Sequence, residues 1–154
     1  MKQFVIICLL LCPTTFVEAQ DERVRKKHFN ISNNVALSGY DPITYFAKKP
    51  VLGKENISYT YKGIAYRFIN EKSLSLFKAN PEKYEPQYGG WCAYALAKDK
   101  PVLMEANPKT YKIVDGKLYL FYNSFGINTV NKWNKNEAKF KASADKNWDK
   151  IIKK

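Results

Sequence analysis

The stretch that decides the fold is residues 111–122, which read YKIVDGKLYLFY. Apolar and polar side chains alternate on both sides of Asp115-Gly116, and a two-residue Asp-Gly turn between alternating runs is typical of a β-hairpin. Residues 57–68 repeat this pattern around Lys62-Gly63. The sequence therefore predicts two β-hairpins, each with one apolar face.

Helices are predicted on either side of the hairpins. Asp41 is a cap followed by Pro42 at the first helical position, and Asn70 is a cap of a second short helix. Near the C-terminus, apolar residues recur at helical spacing, which predicts one long amphipathic helix. These residues are Val130, Trp133, Phe140, Ala144, Trp148 and Ile151. The predicted fold class is α+β: a small single domain with two β-hairpins, short helices and a long C-terminal amphipathic helix, without an internal repeat at solenoid spacing.

The N-terminus has the pattern of a secretory signal peptide over residues 1–19. Lys2 is followed by an apolar run over residues 4–11, and Val17 and Ala19 fit a small-residue cleavage site. The run is shorter than the roughly 20 apolar residues that span a bilayer. We therefore expect an exported, periplasmic or secreted protein that is not transmembrane after cleavage. Residues 20–34 are polar and without periodicity, which predicts a flexible lead-in to a domain at 35–154.

The net charge is +12, and lysines are spread along the chain. A diffuse positive charge is typical of a solvated surface that keeps a protein soluble. An alternative is weak contact with anionic envelope surfaces. No nucleic-acid partner is expected, because no recognised nucleic-acid motif is present.

The inventory of reactive side chains excludes most catalytic sets. Cleavage of the signal peptide removes Cys8 and Cys12, so the mature chain keeps only Cys92 and can form no internal disulfide. His28 is the only histidine. A Cys-His pair or a closed tetrahedral zinc site is therefore not expected, and binding is favoured over enzymatic activity.

Cys92 follows two adjacent glycines, Gly89 and Gly90, in the segment YGGWCA. Free cysteines are commonly small buried apolar residues. At the beginning of a helix, however, a cysteine is favoured as a reactive thiolate. The residues leave both readings open.

Several motifs together resemble the exported YHS-domain family, which includes selenoproteins. They are GYDPITYF at 39–46, YRF at 66–68, FKANPEKY at 77–84, YGGWCA at 88–93, DGKLYL at 115–120 and ADKNW at 144–148. The resemblance runs from about Ala36 to Trp148 and implies a small α+β domain that binds metal, copper especially. The chain departs from the metal-associated branch at Tyr66-Arg67-Phe68, which has no histidine, and at Phe77, where that branch has a cysteine.

Three hypotheses follow. The first is a soft-metal module in which Cys92 binds copper, with Met104 as a second ligand and Asp41 as a weaker one, since thiolates and thioethers suit Cu(I). The second is a thiol redox protein or sensor in which Arg67 or Lys98 stabilises the Cys92 thiolate. The third is a structural or interaction domain without chemistry. The remaining candidate site residues are Tyr40, Tyr88, Gly89, Gly90 and Trp91.

Overall fold

A computed structural model describes residues 14–153, with side chains from Asp21 onward. Residues 1–13, most of the predicted signal peptide, lie outside the described residues. The helices are α1 (Thr14–His28), α2 (Pro42–Phe46), α3 (Glu71–Ala79), α4 (Pro81–Tyr84), α5 (Ala93–Leu96), α6 (Thr129–Trp133) and α7 (Glu137–Ile152). The strands are β1 (Ile31–Ser32), β2 (Val35–Ala36), β3 (Lys54–Tyr61), β4 (Ile64–Phe68), β5 (Asn107–Val114), β6 (Lys117–Phe121), β7 (Asn123–Ser124) and β8 (Ile127–Asn128). The predicted α+β single domain is confirmed.

Both predicted hairpins are present, as β3–β4 and β5–β6. The described residues also form two short hairpins that the sequence did not predict, β1–β2 and β7–β8. Their strands have two residues each, which is too short to leave an alternating pattern. Sheet order is β1-β2-β4-β3 in one sheet, with β5–β6 and β7–β8 as separate pairs.

The predicted long C-terminal helix is present as α7, but it begins at Glu137 and not near Val130, which lies in the separate helix α6. α6 ends at Trp133, and Asn136 starts α7 by accepting a hydrogen bond from the Lys139 N–H through its side chain. Asparagine competes for backbone groups in this way and so favours caps over helix interiors. The described residues contain no helix that is both long enough and apolar enough to cross a membrane.

The predicted flexible lead-in forms regular structure instead, and this prediction is corrected. The segment 28–30 packs onto the Gly-Gly-Trp motif: Trp91 Nε1 donates to the His28 carbonyl at 2.7 Å, and the Asn30 N–H donates to the Gly89 carbonyl at 2.9 Å. A side chain at Gly89 would place its Cβ 2.9 Å from the Phe29 ring. Phe29 is itself buried, so this segment belongs to the core.

The chain folds as two copies of one motif, although no repeat was predicted. β3–β4 and β5–β6 each have an eight-residue strand, a two-residue turn and a five-residue strand. Each pairing has its register shift at the same place, after the Lys54–Phe68 pair in one hairpin and after the Asn107–Phe121 pair in the other. A parallel bridge to the preceding segment also repeats, Val35 with Ala65 and Pro86 with Leu118. We call residues 35–79 the first half and residues 86–133 the second half.

A turn, a capping position and a short helix begin each half. Three consecutive residues with positive φ form the turns 37–39 and 88–90. Asp41 then precedes α2, and Cys92, 51 residues later in the chain, precedes α5. In both cases the backbone N–H of this residue donates to the loop that follows, to the Val51 carbonyl at 2.9 Å and to the Met104 carbonyl at 2.9 Å.

Each half also has its own aromatic core. Phe77 of α3 packs on Tyr66 and Phe68 of its hairpin, with ring centroids 4.8 and 5.3 Å away. Trp133 of α6 packs in the same way on Tyr119 and Phe121, at 6.0 and 5.4 Å. The two cores join through β6, because Leu118 and Leu120 alternate with these rings and belong to the core of the first half. The halves therefore form one domain.

Candidate functional site

The two halves differ in two connections, and both differences meet at one place. The stretch from the capping residue to the long strand is two residues longer in the second half, where it contains the loop 97–106. The stretch from the hairpin to the following helix cap is five residues longer, because it contains β7–β8. The loop and the short hairpin line the same cavity, through Val102 on one side and Ile127 on the other. The candidate site is therefore an addition to a repeated scaffold.

The cavity has a volume of about 320 Å³ and mostly apolar walls. Volumes of this order are at the lower end of those of small-molecule sites, which are mostly apolar with a few polar groups. The apolar and aromatic lining residues are Tyr94, Ala95, Val102, Met104, Tyr122 and Ile127. Its other three lining residues are Lys98, Thr129 and Lys132, and none of the nine is acidic.

The two lysines give the cavity a positive potential. Lys98 Nζ lies 4.5 Å from the centroid of the Tyr94 ring, a cation–π contact that holds the ammonium group over the wall. Lys132 approaches from α6 and is exposed. An apolar cavity with two cations and no lining carboxylate fits an apolar molecule that carries a negative charge.

Cys92 lies behind this cavity and is fully buried, with 0% of its surface exposed. Its Sγ is 3.4 Å from Thr129 Oγ1. The single proton of that hydroxyl is donated to the Tyr122 carbonyl at 2.9 Å, and a carbonyl oxygen only accepts. The thiol is therefore the donor toward Thr129.

Met104 and Asp41, the other two predicted metal ligands, are placed differently. Met104 lines the cavity with 37% of its surface exposed, and its carbonyl accepts from the Cys92 N–H. The structure thus brings Cys92 and Met104 together. Asp41 lies in the first half, where its carboxylate accepts hydrogen bonds from the Ile43 N–H, the Ile69 N–H and the Ser73 hydroxyl. These protein donors occupy Asp41, so it does not join the other two residues.

The remaining candidate site residues have structural roles in the turns and caps of the fold. Tyr40 and Trp91 precede the two capping positions. The carbonyls of Gly89 and Gly90 accept hydrogen bonds from the segment 28–30. The buried Tyr88 has a φ of 56°, a strained value for an aromatic residue. Its hydroxyl donates to Asp145 Oδ1 at 2.7 Å, and its burial, with this carboxylate, raises the pKa of Tyr88 far above the ordinary tyrosine value.

Arg67 is remote from the cavity that Cys92 adjoins. It forms an ion pair with Glu55 at 3.0 Å, beside the turn of the first half. Lys98, the other residue predicted to stabilise a thiolate, lines the cavity instead.

A second depression is acidic, although the chain is basic. It is lined by Glu82, Glu85, Asp145 and Asp149. Glu85 already pairs with Arg25, and Asp145 already accepts from Tyr88 and Lys141. Across the side chains that the structure describes, no three His, Cys, Asp or Glu residues are grouped to hold a metal ion.

Sequence reasoning missed Lys132, Tyr94, Ile127 and Thr129 as site residues. A sequence signal for the repetition does exist: Gly-x-x-Tyr-x-Phe occurs at 63–68 and again at 116–121. Aligning the halves on this pattern locates the two longer connections, and these connections form the site.

In comparisons with known proteins, no family model, no curated protein and no solved structure matches this chain. The resemblance to the YHS-domain family therefore stays a prediction.

Proposed function

We infer that this protein is a binding module for a small apolar molecule that carries one negative charge, such as a medium-chain carboxylate. The observation that supports it is the cavity of the second half, where apolar walls meet Lys98 and Lys132 and no lining side chain is acidic. The apolar body of the ligand would lie along Val102, Met104 and Ile127, and its charged end would lie toward the lysines.

The apolar walls and the lysines contribute different amounts to the binding free energy. Burial of apolar surface contributes about 0.8 kcal/mol for each CH₂ group, so a chain of several carbons supplies most of the affinity. The lysines are exposed, and an exposed ion pair contributes roughly 0.2–1 kcal/mol. The walls therefore supply affinity, whereas the lysines select the sign of the charge.

Calorimetric titration with decanoate and with neutral decanol tests this proposal. We expect decanoate to bind more tightly than decanol. Lys98→Met and Lys132→Met should each weaken decanoate binding roughly two- to fivefold and leave decanol binding unchanged. Val102→Trp, which enlarges a half-exposed wall residue, should block both ligands.

Lys135→Met is the matched control, since Lys135 is exposed two residues after Trp133 but does not line the cavity. All variants keep the apolar residues 4–11, so any binding to that segment cancels in the comparison. Equal affinity for decanoate and decanol would contradict the charge selection. Binding that survives Val102→Trp would contradict this cavity as the site.

A soft-metal site is the second candidate, supported by the Cys92 N–H···O=C Met104 contact, which places a thiol and a thioether on adjacent segments. Binding of Cu(I) as a thiolate would require the Cys92 thiol to release the proton that it donates to Thr129. Anaerobic Cu(I) titration in competition with a chromogenic chelator, with Cys92→Ser and Met104→Leu, tests it. Both substitutions should weaken the tight site; equal binding by all three proteins would contradict the candidate.

A further inference from the structure

Exposed apolar residues concentrate on the same two connections that build the cavity. Seven large apolar side chains are exposed among those that the structure describes, and five of them lie on the loop 97–106 or on the β7–β8 hairpin. These five are Val102, Leu103, Met104, Phe125 and Ile127. We call them the apolar edge. Because exposed apolar patches with polar rims mark interaction surfaces, the edge indicates a partner that covers it.

Phe125 is the most exposed member of the apolar edge. Together with Gly126 it forms the two-residue turn between β7 and β8, and 94% of its surface is in contact with solvent. Its φ is 49°, a backbone conformation that disfavours an aromatic side chain. A turn of this kind favours Asn or Asp at this position, so neither the backbone nor the core requires a phenyl ring here.

Positive charge lies beside this edge. Lys98 and Lys132 line the cavity between the loop and the hairpin, and Lys100 is exposed in the loop. Glu105 is the acidic residue of the loop next to the edge, whereas Asp99 lines a separate depression with Lys146 and Lys150. Within a protein of net charge +12, this edge combines apolar tips with cations.

We propose that the apolar edge docks this protein on an anionic lipid bilayer, with Phe125 inserted at the level of the headgroups. An aromatic ring suits the boundary between headgroups and acyl chains, and lysines near an anionic surface add attraction. The edge consists of a loop and a two-residue turn on the two sides of a cavity, and its most exposed ring stands at the turn, which suits shallow insertion into lipid better than the closely packed core of a protein interface. Val102, Met104 and Ile127 belong to both the edge and the cavity wall, but Phe125 does not line the cavity, so its insertion can be tested separately from the cavity ligand.

Fluorescence quenching by brominated lipids tests this docking. The Phe125→Trp variant is mixed with vesicles of phosphatidylglycerol and phosphatidylcholine whose acyl chains carry bromine. The matched variant is Leu76→Trp, since Leu76 is an exposed apolar residue of α3, at 42%, outside the apolar edge. The full chain is used throughout, so the apolar residues 4–11 are the same in every sample.

We expect the bromines to quench Phe125→Trp beyond the wild-type tryptophans and to leave Leu76→Trp at the wild-type level. Pure phosphatidylcholine vesicles and high salt should reduce the quenching. Lys100→Met should weaken partition roughly fivefold, since a lysine near an anionic surface contributes about that factor. Equal quenching of both tryptophan variants, or none for Phe125→Trp, would overturn the proposal. So would concentration-dependent association of the wild type that Phe125→Ser abolishes in the absence of lipid, because the edge would then be a protein interface.

Discussion

Asp41 and Cys92 occupy the same position in the two halves of the fold. Each residue follows a turn of three residues with positive φ, each begins a short helix, and the side chain of each contacts a hydroxyl of the helix after the hairpin. That hydroxyl belongs to Ser73 in the first half and to Thr129 in the second. The buried carboxylate of Asp41 and the buried thiol of Cys92 therefore each link the start of a short helix to the helix after the hairpin.

The first prediction concerns Asp41. Asp41→Ala leaves three donors without their acceptor, namely the Ile43 N–H, the Ile69 N–H and the Ser73 hydroxyl. We expect the free energy of unfolding to fall by about 3–5 kcal/mol, because each buried donor left without a partner costs roughly 1–3 kcal/mol. Urea denaturation measures it.

Two variants control this measurement. Ser73→Ala removes one of the three donors and should cost about 1–2 kcal/mol, whereas Asp99→Ala, at an exposed position, should stay within about 0.5 kcal/mol of the wild type. If Asp41→Ala behaves like Asp99→Ala, the carboxylate is not the structural connection described above.

The second prediction concerns the reactivity of Cys92. Because its sulfur is buried and donates to Thr129, alkylation by iodoacetamide should be at least about a hundredfold slower in the native chain than in urea. Mass spectrometry of the peptide that contains Cys92 follows this thiol separately from Cys8 and Cys12. Thr129→Val should leave the labelling slow, since the sulfur stays buried. Rapid labelling of the native protein would favour the thiol redox hypothesis instead.

The third prediction uses the repetition of the halves. Deleting residues 123–127 connects Tyr122 to the helix cap Asn128, as Ile69 connects the first hairpin to Asn70. We expect a folded protein that is about 1–2 kcal/mol less stable, because the Asn123 hydrogen bonds to Asn107 and Thr110 are lost.

The same deletion should weaken decanoate binding at least about tenfold, since it removes the Ile127 wall. Urea unfolding and calorimetry are measured on the same sample. Cooperative unfolding together with unchanged decanoate affinity would show that the short hairpin is not part of a ligand site.

The fourth prediction concerns pH. His28 has 8% of its surface exposed and its Nε2 has no hydrogen-bond partner, and this burial, followed by the charge of Lys27, lowers the pKa of His28. The unfolded chain then binds a proton near the ordinary value of about 6.5, while the folded chain resists it. The stability is therefore complete above that pH and is lost as the pH falls below it.

Urea unfolding at pH 7.5, 6 and 5 measures this dependence, with His28→Phe as the comparison. The variant should show a flatter profile over this interval. Glu137, whose pKa is lowered by its hydrogen bond with Lys112, titrates at more acidic pH and does not interfere. Parallel profiles for the two proteins would contradict the assignment to His28.

Local patterns predicted the parts of this fold that local physics determines. The turns at Lys62-Gly63 and Asp115-Gly116 were found because two-residue turns with positive φ have a strong residue preference. The cap at Asp41 was found because an acidic residue before a proline is typical of a helix start. In both cases the residues next to one another in the chain are sufficient to determine the local structure.

The cavity was not predicted, because it is formed by residues that are distant from one another in the sequence. The cavity forms where two connections approach each other, and Val102 and Ile127 are 25 residues apart in the chain. Likewise, residues 28–30 look unstructured when their sequence is taken alone, and they are ordered by contacts with Gly89, Gly90 and Trp91 about 60 residues away. Polar composition indicates disorder only when no distant partner supplies the missing contacts.

The contacts of α1 and of the residues after it bear on the predicted cleavage of a signal peptide. Arg25 pairs with Glu85 and donates to the Lys62 carbonyl, and Phe29 packs against Gly89. Both Arg25 and Phe29 lie on the C-terminal side of the predicted cleavage position after Ala19. Removal of a leader at that position would leave every one of these attachments in place. With cleavage at the predicted position, the segment from Arg25 to Asn30 would keep its contacts with Glu85, Gly89 and Trp91.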